Sequence, residues 1–420
     1  MNATARREGP RSAANGPLCG LLVLDFGQAA VGPVAAEYLG MLGATVIKVE
    51  SPKGDMVRNP RPHMRGTSTT FLGNNLAKFG IVLDLKVPAD NQRAKDLIRI
   101  ADVLIENFRS NEIMVRLGLG YDVLRQINQN LVYVSSSAYG NGGPLENMRS
   151  NEWLAQALSG FTSVTGGAGG LGEFSRGTAN LDWNGAMLNT VTMLAALVRR
   201  ARLKHGGHFI TSQLGFSVYG GISRFADVFT GRTPKGPLGA ACPDIVPDDA
   251  FRTRDGYVAV SALTERCWER LCEALGRPEL RNDLRFAANA ARVKNRAELT
   301  TLLRDIVAKE TTAVWCDRLT AADVPCASVP KPMPLLDALN SHPQIRECEL
   351  IARIPSAYGS LASQAPHWQF ERTPASIAGG SPLLGEHTEL VLANLTDKAT
   401  LLKVLEAARH EAPAAAMESA

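Results

Sequence analysis

Leu21-Leu22-Val23-Leu24-Asp25-Phe26, then Gly32-Pro33, then Thr45-Val46-Ile47-Lys48-Val49-Glu50, decide the fold of this chain. The first run is short and apolar, as a buried strand should be. Gly27 to Val31 read as a loop. Gly32-Pro33 open a helix that runs to about Leu42, because proline suits a first helical turn. Gly43 stops it, and Thr45 to Glu50 form a second strand. Strand, helix and strand within about 30 residues make a βαβ unit and so a parallel sheet. Glu50 at the end of the second strand invites a dinucleotide-binding reading. The first loop opposes it: Gly27-Gln28-Ala29-Ala30-Val31-Gly32 lacks the GxGxxG pattern that lets backbone approach a pyrophosphate.

Working outward, the alternation continues. Gly80 to Leu85 reads as a strand, and Asp90 to Ala101 as a helix that Asp90 would cap. Val103 to Phe108, Leu131 to Ser135 and Phe209 to Leu214 read as further strands, and a helical stretch follows to about Phe229. The first 200 or so residues are therefore α/β and doubly wound. In such sheets ligands sit beyond the carboxyl ends of the strands, which places Lys86, Asn107 and Phe108 near a candidate site. Taken singly, each would be a solvated loop residue or a cap. Composition changes at Gly231 to Asp249, where four prolines and three glycines mark a boundary. Beyond it, Phe251 to Leu263 resembles two strands joined at Arg254-Asp255-Gly256. Helices follow at 264–275, 295–308 and 312–321, and Pro330, Pro332 and Pro334 close the segment.

Apolar residues make up 45% and charged residues 20%, ordinary for a globular protein. The net charge is only +4 and no basic stripe is interleaved with aromatics, so a nucleic-acid partner is not expected. No apolar run approaches the roughly 18 residues of a membrane span. The seven cysteines form no CxxC pair and have no histidines at ligand spacing, so neither a metal site nor a disulfide framework is expected. That usage fits a reducing cytoplasm. Residues 1–18 carry Arg6, Arg7 and Arg11 without an apolar core and read as a tail rather than a secretory signal, and 406–420 read as a frayed end.

One stretch could carry chemistry: Gly177-Thr178-Ala179-Asn180-Leu181-Asp182-Trp183-Asn184-Gly185. A helix from Gly185 to Lys204 would bury Met187, Leu188, Val191, Leu194, Ala195 and Val198. Asp182 would sit in the turn ahead of it, where the helix dipole favours the ionised carboxylate. It can be a helix cap worth about 1 kcal/mol, or a carboxylate nucleophile.

Several stretches together resemble the class III coenzyme A transferases, the CaiB/BaiF family that includes formyl-CoA:oxalate and carnitine CoA-transferases. They are Val23 to Phe26 leading to Gly32-Pro33; Leu42 to Glu50; Leu83-Asp84-Leu85-Lys86; Ala101 to Arg109; Arg116-Leu117-Gly118; Ala155 to Gly160; Leu271 to Gly276; and Pro382 to Thr388. They keep their order from about residue 20 to about 395. The resemblance implies a Rossmann-like large domain built from both chain ends (19–213 with 372–405) and a smaller α+β domain at 237–333. Linkers at 214–236 and 334–371 would join them, and two chains would interlock as a homodimer. It implies that Asp182 is the nucleophile. Acyl-CoA and a carboxylic acid would be the substrates, with no tightly bound cofactor. CoA contacts would come from Leu83, Lys86, Asn107 and Phe108 around the adenine, and from Arg116 and Arg149 near phosphates. CoA would move by way of an aspartyl anhydride and an aspartyl-CoA thioester, with Gly236 to Gly239 as a candidate closing loop. The alternative within the fold is an α-methylacyl-CoA racemase. Its histidine base is replaced here by Asn151 within Ser150-Asn151-Glu152, and asparagine has no usable pKa for proton abstraction. A silent CoA-binding protein is the alternative outside catalysis.

Overall fold

A computed structural model describes residues 16–59, 63–167, 169–170, 172–175, 179–232, 236–329, 339–366 and 368–411. Most of both expected tails, Gly177-Thr178 and the prolines at 330, 332 and 334 lie outside the described residues. The chain forms two compact units: 1–159 with 176–222 and 347–420, and 160–175 with 223–346.

The larger unit is built on six strands, β1 (Leu22–Asp25), β2 (Thr45–Glu50), β3 (Lys78–Val82), β4 (Val103–Glu106), β5 (Val132–Ser137) and β6 (Gly207–Ser212). They are parallel throughout and lie in the order β3-β2-β1-β4-β5-β6, the order of doubly wound dinucleotide-binding folds. Strands β1 to β5 are buried on both faces, which is why runs such as Leu22 to Leu24 and Val103 to Ile105 are continuously apolar, while the edge strand β6 is only half-buried. Leu22, Leu24, Ile47 and Leu104 point to one face, with Leu97 and Ile98 of α2 (Pro88–Ile100) and with Val391, Leu401 and Leu405 from the carboxyl-terminal end. Val23, Val46, Ile105 and Val134 point to the other. There they meet Val34 and Leu39 of α1 (Val31–Met41), and Ala186, Met193 and Ala196 of a long helix, Asn180–Leu203. The free edge of β3 is covered from the far end of the chain: His387 N–H donates to the Gly80 carbonyl (2.9 Å), and Val82 N–H donates to Thr388 Oγ1 (3.0 Å).

Three local expectations need correction. Helix α2 begins at Pro88, and Asp90 lies in its first turn without capping it; its Oδ2 accepts from Asp84 N–H instead (2.9 Å). The long helix starts at Asn180, so Asp182 belongs to its first turn and not to a turn ahead of it. Its buried side is also different. Leu181, Gly185, Ala186, Asn189, Thr190, Met193 and Ala196 face inward, while Met187, Val191 and Val198 are exposed. The polar Asn189 is inside because it has partners there: its Nδ2 donates to Ser136 Oγ (3.0 Å) and its Oδ1 accepts from Thr211 Oγ1 (2.7 Å). Gly185 must be glycine, since a Cβ would come within 2.7 Å of the Phe216 ring.

The smaller unit has an antiparallel sheet of β7 (Asp248–Arg252), β8 (Tyr257–Ser261) and β9 (Cys326–Ser328), with β8 central. The expected strand pair is present, and helices occupy 265–274, 296–307 and 312–321. Trp268, Phe286, Leu299, Leu303 and Trp315 fill its core.

Candidate active site

The sheet order reverses between β1 and β4, and a crevice for ligand opens at such a switch point. The loop after β1 is held there by side chains on every backbone polar group from Gly27 to Ala29. Gly27 N–H donates to Asp25 Oδ1 (2.8 Å) and its carbonyl accepts from Lys48 Nζ (2.9 Å). Asn107, just past β4, both accepts from Gln28 N–H (2.7 Å) and donates to the Gln28 carbonyl (2.8 Å). Ala29 N–H donates to Asp55 Oδ1 (3.1 Å), and its carbonyl accepts from Asn74 Nδ2 (3.0 Å). Ala29 sits at φ +63°, a left-handed conformation that costs a residue with a Cβ about 1–2 kcal/mol. These bonds hold it there. Gly27 leaves room for them: a Cβ would lie 2.8 Å from Asp25 Oδ1 and Pro33 Cδ.

Beneath this loop lies a fully buried ion cluster. Lys48 Nζ pairs with Asp55 (2.9 Å), and Lys78 Nζ pairs with Asp25 (2.8 Å) and with the Pro33 carbonyl (2.7 Å). Burial opposes the Lys48 charge, but Asp25, Asp55 and Glu50 together outweigh it and raise its pKa. Glu50 takes a two-point clamp from Arg58, whose Nε and Nη2 donate at 2.7 and 2.6 Å. Its carboxylate is thus committed inside the protein, which removes the ribose-binding role its position suggests.

The nucleophile candidate lies on a helix that packs against α1. The long helix is α4 (Asn180–Leu203), counting α3 as Glu152–Leu158. One turn on from Asp182, the position a Gly185 Cβ would take is 3.4 Å from Val31 at the start of α1. Asp182 Oδ1 accepts from Gln213 Nε2 at 2.5 Å; Gln213 is the first residue of α5 (Gln213–Gly220), directly after β6. Glu152 Oε1 accepts from Leu181 N–H (3.2 Å) and Gln156 Nε2 (2.8 Å), so this buried carboxylate meets the amino end of α4. Its Oε2 is buried without a hydrogen-bond partner among the described residues.

Burial, and then the nearby Glu152 charge, push the Asp182 carboxyl up to about 7, and the Gln213 bond only partly offsets them. The expectation that the helix dipole favours the ionised form is thus reversed, because desolvation and a like charge outweigh it. A carboxylate of raised basicity is a stronger nucleophile once ionised. Nor is Asp182 a cap: the cap position is Ala179, which makes no side-chain capping bond. Asn151 is one, for α3, accepting from Leu154 N–H (3.2 Å).

Of the residues expected around CoA, Lys86 and Arg116 meet in one open groove together with Lys95, Leu85, Asn91 and Leu117. Asn91 Nδ2 shapes its floor by donating to the Leu85 (3.1 Å) and Leu117 (2.8 Å) carbonyls. Three cations along one groove suit phosphate. The Leu83 side chain is in the core instead. Phe108 is half-buried against that core, and its N–H donates to Glu106 Oε2 (2.8 Å). Arg149 is exposed before α3 and does not line the groove. Gln213 and Lys95 escaped the sequence reading. Lys95 was accessible to it, two turns along the helix that Lys86 precedes; Gln213 carries no local signal.

Residues 18–388 match the model of CoA-transferase family III. The chain belongs to that family. Among its relatives, the mouse (Mus musculus) succinyl-CoA:glutarate CoA-transferase is 31% identical, covering 93% of this chain and 89% of that one. An acetyl-CoA:oxalate CoA-transferase from Acetobacter aceti is 34% identical, covering 77% and 81%. A solved CAIB/BAIF family protein from Brucella suis superposes with a TM-score of 0.80 at 27% identity, over 91% of this chain and all of that one. As a family III member the chain is a CoA-transferase acting on CoA thioesters. Among the described residues no helix is long and apolar enough to cross a membrane, and no cluster of His, Cys, Asp and Glu could hold a metal ion.

Proposed function

We propose that this chain moves CoA from an acyl-CoA thioester to a free carboxylic acid with Asp182 as the covalent nucleophile. The observation that carries the reading is the Asp182 carboxylate itself, half-buried at the start of α4 with one oxygen held by Gln213. Asp182 Oδ2 attacks the thioester carbonyl and expels CoA thiolate, leaving a mixed anhydride. The thiolate attacks the aspartyl Cγ and frees the donor acid, leaving an aspartyl-CoA thioester, and the acceptor carboxylate reverses the sequence. Each intermediate retains an activated acyl bond, so the residues need only hold the carboxylate, bind CoA and exclude water. Lys86, Lys95 and Arg116 would hold CoA phosphates, with Asn107 and Phe108 at the switch point. Leu83 would contribute through its backbone, and Arg149 from its loop.

Succinyl-CoA and acetyl-CoA, the donors in the relatives' names, head the panel of thioesters to test. Incubation without acceptor, followed by hydroxylamine or borohydride, should place a mass change on the tryptic peptide Gly177 to Arg199. A panel that yields CoA exchange but leaves that peptide unmodified would remove Asp182 from the nucleophile's role. Solvent exchange of an α-proton without any adduct would favour the racemase reading.

A homodimer is part of the proposal. The exposed apolar residues Met187, Val191 and Val198 on α4, and Ile210 on the edge strand β6, support contact with a second copy. All seven cysteines are free, which supports a reducing compartment such as the cytoplasm.

A further inference from the structure

Resting on the Asp182 reading above, we infer that Gln213 is a catalytic residue that stabilises the oxyanion formed on the nucleophile itself, in the steps where Asp182 Cγ is attacked.

Its Nε2 lies 2.5 Å from Asp182 Oδ1, and among the described residues Oδ2 accepts no hydrogen bond. The two oxygens therefore differ: Oδ1 is held, and Oδ2 is left to attack. The amide is presented from a rigid junction. Strand β6 pairs along its whole length with β5, ending at Ser137 opposite Ser212. Ser212 then caps α5 by accepting from Gly215 N–H (3.0 Å), and Leu214 N–H donates to the Ala138 carbonyl (2.9 Å). Gln213 is itself buried, and its carbonyl accepts from Ser217 Oγ (2.9 Å). A donor fixed in this way needs no reorganisation when charge develops.

The electron bookkeeping shows which steps it serves. In the first step the Oδ2 pair forms a bond to the thioester carbonyl carbon, and the C–S pair leaves on sulfur. The oxyanion of that step is on the substrate carbonyl oxygen and not on an aspartyl oxygen. In the second step thiolate sulfur bonds to Cγ, and the Cγ–Oδ1 π pair moves onto Oδ1, where the Gln213 N–H donates to it. Collapse restores the Cγ–Oδ1 double bond and breaks Cγ–Oδ2, so Oδ2 departs on the donor carboxylate. No proton is transferred. Attack by the acceptor carboxylate on the aspartyl thioester places charge on Oδ1 again.

Gln213→Met, which keeps length without a donor, separates this role from mere positioning. With the thioester that best loads wild-type Asp182, thiol release in the presence of a thiol-trapping reagent reads the first step. Release of donor acid without acceptor or trap reads attack on Cγ. We expect thiol release to stay within about threefold of wild type, and donor-acid release to slow by about 10²–10³-fold, the loss found when one oxyanion donor is removed. Gln213→Asn, which keeps the amide but withdraws it by a methylene, should show the same selective loss if the Met variant does not fold. Equal slowing of both steps would reduce Gln213 to a positioning residue, and no slowing would remove it from the site. Either result leaves the transferase reading standing. A wild-type protein that no thioester loads defeats that reading instead.

Discussion

Asp182→Asn should abolish transfer and make the protein more stable, by an amount that depends on pH. The wild-type carboxyl rises from its ordinary 3.8 to about 7 on folding. A carboxyl whose folded pKa lies above its unfolded value binds its proton more tightly in the native state. Its stabilising share is complete below about pH 4 and is lost as pH rises to the folded value near 7. At about 1.4 kcal/mol per pH unit, that window corresponds to about 4 kcal/mol. Part of the shift comes from the Glu152 charge, so about 2–4 kcal/mol is expected from Asp182. The asparagine keeps an oxygen for Gln213 and carries no charge, so it escapes the loss. At about 2 °C per kcal/mol for a large unit, the variant should melt about 4–8 °C above wild type at pH 8. The two should converge below about pH 4. Thermal midpoints from pH 4 to 9, in parallel with CoA exchange, test this. A difference that does not change with pH, or a wild type that gains on the variant between pH 5 and 8, would refute the argument that burial and Glu152 hold the carboxyl high.

Lys86→Ala with Arg116→Ala should raise the KM for acyl-CoA by about tenfold or more with little change in kcat, since exposed charges on a phosphate give uniform binding. Isothermal calorimetry with CoA at two salt concentrations should show a shallower salt dependence in the variant, and unchanged affinity would detach the groove from the CoA site. Arg58→Met should destabilise the larger unit by about 3–5 kcal/mol, because it strands the buried Glu50 charge. Arg58→Met with Glu50→Gln should recover much of that loss in urea unfolding; no recovery would show that the Phe71 stack and the Tyr358 bond of Arg58 matter more.

Much of the architecture is legible in the sequence because a doubly wound sheet buries both faces of its strands. Runs such as Leu22 to Leu24 and Val103 to Ile105 therefore stand out without alternation. The helices at 265–274 and 312–321 are equally plain, each opening on a threonine that caps it. Reading by hydrophobicity fails on α4, where Asn189 turns inward to meet Ser136 and Thr211 while Val191 and Val198 turn outward. The partners of Asn189 lie on strands β5 and β6, so no helical period predicts which face is buried. The site divides the same way. Asp182 stands out as the carboxylate of the glycine-bounded stretch Gly177 to Gly185, whereas Gln213 reaches it only because β6 joins the sheet beside β5. Lys48 and Lys78 look like ordinary strand residues, and only the fold shows them buried on Asp25 and Asp55.

The cover that His387 and Thr388 lay along β3 has a consequence for synthesis. A ribosome delivers all six strands before residue 213, but the residues that close the β3 edge and complete the packing over Phe79 and Ile81 come much later. At about 5–20 residues per second, the nascent sheet waits about 10–35 s with that edge and face open. An unpaired edge beside bare apolar surface is a template for joining another chain. The carboxyl-terminal segment is thus a late latch, and a premature stop before it would yield an adhesive intermediate rather than a shortened enzyme.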